Sequence, residues 1–143
     1  MKIIKMTLLI SSFLISYAIV DSIAASPVDQ AKKEIDTAIY HAKASADASS
    51  IGDMKSHLKH VINCMEGPEG KNFDSAEANP CKGQGNGIIP DLNASGSEGA
   101  EALGHAQEAN NIAVASEGES DFHTLHGKLD EIISHLEEAK KSL

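Results

Sequence analysis

Beyond residue 26, apolar residues recur at helical intervals along most of the chain, and nowhere do they alternate as a half-buried strand requires. Val28, Ala31, Ile35, Ile39, Ala42 and Ala46 follow one another at three- and four-residue steps. Ser26-Pro27 opens this run with a capping hydroxyl and a first-turn proline, and Asp29 lies near the positive end of the helix dipole. Ser49-Ser50-Ile51-Gly52-Asp53 interrupts it, and Ile51, Met54, Leu58, Val61, Ile62 and Met65 then form a second stripe. The second half repeats the plan. Ser97 and Glu98 open a helix carrying Ala102, Ala106, Ala109 and Ala113, and Ser116 to Asp121 breaks it. Phe122, Leu125, Leu129, Ile132, Ile133 and Leu136 make the clearest amphipathic stripe of all.

Four helices joined in pairs by short polar breaks predict an all-α fold, an antiparallel four-helix bundle of two helical hairpins. The boundaries are residues 25–64 for the first hairpin, 65–97 for a long Gly/Pro-rich central loop and 98–143 for the second hairpin. Gly67-Pro68, Gly70 and Asn79-Pro80 are turn formers, and Gly83, Gly85 and Gly87 continue the irregular backbone. That glycine run is not a nucleotide loop: no strand precedes it and no phosphate-binding Lys or Ser/Thr follows in register. The first and third helices use alanine where most bundles use leucine. Alanine buries little apolar area, at ~25 cal/mol per Å², so these helices must pack closely for a modest return.

The segment before this pattern has a different character. Lys2 and Lys5 precede a nearly continuous apolar stretch from Met6 to Val20, and Ser22-Ile23-Ala24 offers small residues where a signal peptidase reads. Residues 1–24 are therefore expected to be a cleaved secretory signal peptide, with a bacterial periplasm as destination. The competing reading is a retained membrane anchor, but the stretch is shorter than the ~20 residues that span a bilayer, and Asp21 closes it. No later segment is long and apolar enough to span, so no membrane association is expected after the signal is removed.

Charge narrows the partners. The 143-residue chain has 12 lysines and no arginine against 21 acids, a net charge of −9. Removing residues 1–24 takes the lysines from 12 to 10 and the acids from 21 to 20, leaving −10 on the mature chain. An acidic chain without arginine excludes nucleic acid as a partner and favours cations.

Cys64 and Cys81 are the two cysteines. In an oxidising compartment an even pair most often forms a disulfide, here closing the central loop and stapling a thin core. A copper thiolate is the alternative, since Cys64 lies four residues after His60. Neither CxxC nor CxxCH occurs, which excludes the usual redox dithiol and c-type haem attachment.

Seven histidines are the unusual feature, and they fall into two similar sets. His41 is followed by His57 and His60 as H-x15-H-x2-H, and His105 by His123 and His126 as H-x17-H-x2-H. His135 stands alone. Asp53 lies four residues before His57, and Glu119 four before His123. Two histidines three apart share a helical face, and a carboxylate one turn earlier joins them. Each set reads as a half-shell for copper, zinc or nickel, with Asp53 and Glu119 as outer or supplementary ligands. The two sets are not strict repeats: the apolar stripes align at an offset of 67 residues, the histidine pairs at 66. In this register His41, His57, His105 and His135 flank the stripes, and His60 points further outward.

Other chemistries fit less well. A di-iron carboxylate bundle needs Glu-x-x-His motifs, which are missing. A b-type haem between a histidine and Met54 or Met65 is a second possibility, disfavoured by the shortage of aromatics. No catalytic nucleophile motif is present, and no enzyme activity is expected.

Gly104-His105-Ala106-Gln107-Glu108-Ala109 and Ser134-His135-Leu136-Glu137-Glu138-Ala139-Lys140 resemble the His-Ala-x-x-Ala and His-Leu-x-x-Ala units of the bacterial small metal-binding protein family. Tyr40-His41-Ala42-Lys43-Ala44 is a looser match. The resemblance implies a periplasmic four-helix bundle that binds divalent cations, copper favoured, through His105, His135 and, more weakly, His41. Family members carry more histidines and have no Cys-bounded loop, so fewer or weaker sites are implied here. His57, His60, His123 and His126 rest on spacing alone. The expected function is sequestration or buffering of copper or a similar divalent ion. A structural or stress adaptor with incidental histidines is the alternative, favoured if His41, His57, His105 and His123 lie far apart.

Overall fold

The computed structural model describes residues 25–143; the expected signal peptide, residues 1–24, lies outside them. The described residues form five α-helices: α1 Pro27–Ala46, α2 Ile51–Glu66, α3 Ile88–Ala94, α4 Ala100–Ala115 and α5 Phe122–Lys141. A 3-10 turn, Gly96–Glu98, precedes α4, and no strand occurs among the described residues. No helix among them is long and apolar enough to cross a membrane.

The helix starts follow from local chemistry. Ser26 caps α1 by accepting the Asp29 N–H, with Pro27 at the first helical position. Ser50 does the same for α2 through the Asp53 N–H, and Asp121 for α5 through the Thr124 N–H. Just inside the first junction, the Ser45 hydroxyl donates to the Met54 carbonyl at 2.6 Å, and both residues are buried. That bond and the His41–His57 contact one turn further on run in opposite chain order, so α1 and α2 are antiparallel.

α1 packs between α2 and α5, and α4 packs between α5 and α2. The buried face of α1 includes Ala31, Ile35, Ala38 and Ala42, and that of α4 Ala102, Ala106, Ala109 and Ala113. Larger side chains come from the partners: Met54, Leu58, Ile62 and Met65 from α2, and Leu125, Leu129, Ile132 and Leu136 from α5. Small residues facing large ones let the axes approach closely while the space between them stays filled.

The central segment departs from the expected loop. Residues 88–94 form α3, which packs against α1, α2 and α4 and buries Ile88 and Leu92. Seven residues with a proline at the third position carry too short a pattern to announce a helix in sequence. The segment folds back on itself at Gly67 and Gly87, whose φ angles are +67° and +121°. A Cβ on Gly67 would fall 1.7 Å from the Asn86 carbonyl oxygen, so the two stretches of backbone meet without side chains between them. The expected staple is present as a Cys64–Cys81 disulfide with a Cα–Cα distance of 5.2 Å.

α3 is also fastened to α1 by two buried carboxyl groups. Glu34 Oε1 accepts the Gly87 N–H at 3.0 Å. Asp91 accepts the backbone N–H and the side-chain amide of Asn86 at 3.0 and 2.9 Å. Burial, then the charge of Asp91, push the Glu34 carboxyl up to about 8, against the opposing pull of the Gly87 N–H. At neutral pH Glu34 therefore keeps its proton, and the protonated oxygen donates to Asp91.

Candidate metal centre

His41 leaves α1 beside Ala42, on the flank of the buried stripe, and His57 and His60 leave α2 beside Leu58 and Val61. The helices rise about 1.5 Å per residue from their common junction. His41 lies six residues before Asp47, and His57 seven after Ser50, so the two reach nearly the same height. His60, one turn beyond His57, closes a triangle. The three rings have centroid separations of 5.5 Å (His41–His57), 5.0 Å (His41–His60) and 5.5 Å (His57–His60).

Each histidine offers a ring nitrogen, and the three nitrogens lie within 4.8 Å of one another. His41 Nδ1 lies 3.2 Å from His57 Nδ1 and 3.4 Å from His60 Nδ1. A tetrahedral ion with Zn–N bonds of about 2.0–2.1 Å requires its ligand nitrogens about 3.3–3.4 Å apart, whereas right-angled geometry requires about 2.9 Å. The two distances from His41 fall near what a shared ion needs and equally within the range of a ring-to-ring hydrogen bond.

The electrostatics suit a cation. Burial, then the neighbouring imidazoles of His60 and His57, hold His41 below its ordinary value. Burial, then His57, also lower His60, against an opposing contribution from Glu77. Both effects favour the neutral ring, which is the form that binds metal.

His60 is the residue whose setting the apolar register misjudged. Its side chain is 15% exposed, because the Cys-closed loop lies over it and brings Glu77 Oε2 within 3.7 Å of its Nε2. Glu77 carries no signal in sequence, since loop residues have no period to read. Cys64 is bonded to Cys81 and is not a thiolate ligand.

The second set does not assemble in the same way. His105 lies ten residues before the end of α4, while His123 lies one residue into α5, so the two differ in height by several turns. His105 instead faces His135, with ring centroids 5.9 Å apart. His123 is exposed at the start of α5 against Phe122, and His126 pairs with Asp130 at 3.5 Å. Among the described residues, His41, His57 and His60 are the one group of three or more potential ligands that converges.

Asp53 and Glu119 make local bonds near helix starts. Asp53 accepts the Ser50 hydroxyl at 2.7 Å in the cap of α2. Glu119 accepts the Ser120 and Asp121 N–H groups at 2.7 and 2.8 Å, shaping the turn before α5.

No protein-family model, curated protein or solved structure matches the chain.

Proposed function

We propose that the protein binds and buffers a divalent cation outside the cytosol, through His41, His57 and His60. The observation that carries this is the convergence of three histidine side chains from two helices, their ligand nitrogens all within 4.8 Å of one another. Three neutral imidazoles with a fourth position left to water make a site from which metal can exchange, as buffering requires. Zn²⁺ suits a site of three imidazoles with one open position. Copper, which the family resemblance implies, also takes imidazole ligands, with Cu²⁺ preferring a tetragonal arrangement. An expected signal peptide and a disulfide support an exported, oxidising setting, and the acidic surface supports attraction of cations. The role proposed is sequestration, not turnover.

Calorimetric titration of residues 25–143 with Zn²⁺ and Cu²⁺ tests this. One tight site is expected, weakened more than about 100-fold in His57→Ala, since losing a ligand costs more than losing a group behind one. Absence of binding at micromolar metal, or an unaffected His57→Ala, would overturn the assignment.

A further inference from the structure

The loop closed by the disulfide lies along α2, on the face that carries His60. Lys59 Nζ meets Asp74 Oδ2 at 2.7 Å. Asn63 donates to the carbonyls of Asp74 and Ala78 at 3.0 and 3.1 Å and accepts the Asp74 N–H at 2.8 Å. Asn63 stands four residues after Lys59 and three after His60, so the loop is fastened to α2 at the residue before His60 and one turn beyond it. The loop's own ends are joined through Cys64 and Cys81. What this fastening presents to the histidine is Glu77. Its Oε2 lies 3.7 Å from His60 Nε2 and accepts the Ser56 hydroxyl at 3.3 Å.

A neutral imidazole carries one proton, and its position decides which nitrogen can bind a metal. His60 Nδ1 faces His41, and Nε2 faces Glu77. A carboxylate beside Nε2 keeps the proton on that nitrogen and leaves the Nδ1 lone pair directed at the centre. At 3.7 Å the contact is completed by a small side-chain rotation or through one water.

We propose that Glu77 is a positioning residue of the metal centre, taking the His60 Nε2–H and thereby holding the ring and its tautomer for ligation through Nδ1. This rests on the metal-binding reading above. It makes the Cys64–Cys81 loop part of the centre and gives His60, alone of the three ligands, a charged acceptor behind it.

The test combines two readouts on wild type, Glu77→Gln and Glu77→Ala. One is the 15N chemical shifts of the His60 ring in the metal-free protein; the other is Zn²⁺ affinity by competition with a chelating dye. Wild type should show the Nε2–H tautomer. Glu77→Ala should lose that preference and bind Zn²⁺ about 10- to 100-fold more weakly. Glu77→Gln, whose amide oxygen accepts the same proton, should keep the tautomer and recover most of the affinity even if the alanine variant folds poorly. Unchanged affinity in Glu77→Ala, or an Nδ1–H tautomer in wild type, overturns the role of Glu77 and leaves the metal site standing. A wild type that binds no Zn²⁺ overturns both.

Discussion

Replacing Glu34 by glutamine should flatten part of the protein's stability profile with pH. In the folded state the Glu34 carboxyl titrates at about 8, against an ordinary value of 4.5. Between those values the folded chain holds a proton that the unfolded chain has released, so stability must fall as pH rises through the window. Below about 4.5 the contribution is fully present, and above about 8 it is lost. At ~1.4 kcal/mol per pH unit, the loss is capped at about 5 kcal/mol, comparable with the whole stability of a modest domain. The glutamine side chain of Glu34→Gln would reproduce the protonated carboxyl: its amide N–H₂ can donate to Asp91, and its oxygen can accept the Gly87 N–H. Urea unfolding followed by circular dichroism, on wild type and Glu34→Gln in parallel, isolates the effect because other titrating groups cancel in the difference. The two proteins should agree within about 1 kcal/mol near pH 5, and the variant should be the more stable near pH 8 by several times that. Parallel profiles across this range would refute the shared proton. So would a variant destabilised by more than about 2 kcal/mol at pH 5.

Three further outcomes follow from the same geometry. Cys64→Ser/Cys81→Ser opens a loop with a sequence separation of 17 and should lower stability by about 3 kcal/mol in the chain-entropy account, measured by chemical denaturation. Ser45→Ala removes a buried hydroxyl bonded to the Met54 carbonyl and should cost about 1 kcal/mol, and the slackened α1–α2 junction should weaken Zn²⁺ binding less than His57→Ala does. His105→Ala/His135→Ala should leave the tight Zn²⁺ site unchanged in calorimetry, because those rings meet each other and not His41; a loss of the tight site would contradict that separation.

The periodicity of the chain made its helices and most of its core legible. Val28 to Ala46, Ile51 to Met65 and Phe122 to Leu136 bury most of the stripes that their spacing announces, with Ile39, Ile51 and Ile133 partly buried at the edges, because a helix repeats every 3.6 residues whatever surrounds it. The pairing of Cys64 with Cys81 was legible as well, there being two cysteines and one bond to form. Within the site, His41, His57 and His60 were marked as a set by counting residues. The same count marked His105, His123 and His126, which do not come together, and it placed Asp53 and Glu119 beside metal, whereas Asp53 accepts the Ser50 hydroxyl and Glu119 the Ser120 and Asp121 N–H groups. Spacing along a chain fixes the face a residue takes within one helix. Whether two helices bring their residues to the same height depends on the distance of each from the junction.

Other features arise from contacts between distant parts of the chain. Helix α3 is stabilised by burial against α1, α2 and α4 and by the Glu34–Asp91 pair, contacts remote in sequence that no local pattern encodes. Glu77 reaches His60 because a loop without periodicity is tied to α2 by Asp74, Asn63 and the disulfide. Local pattern thus specifies which residues of the four long helices are helical, which of them are buried and how many imidazoles are available. Packing specifies that three of those imidazoles share a point, because convergence is a property of helix height and rotation that a linear spacing does not contain.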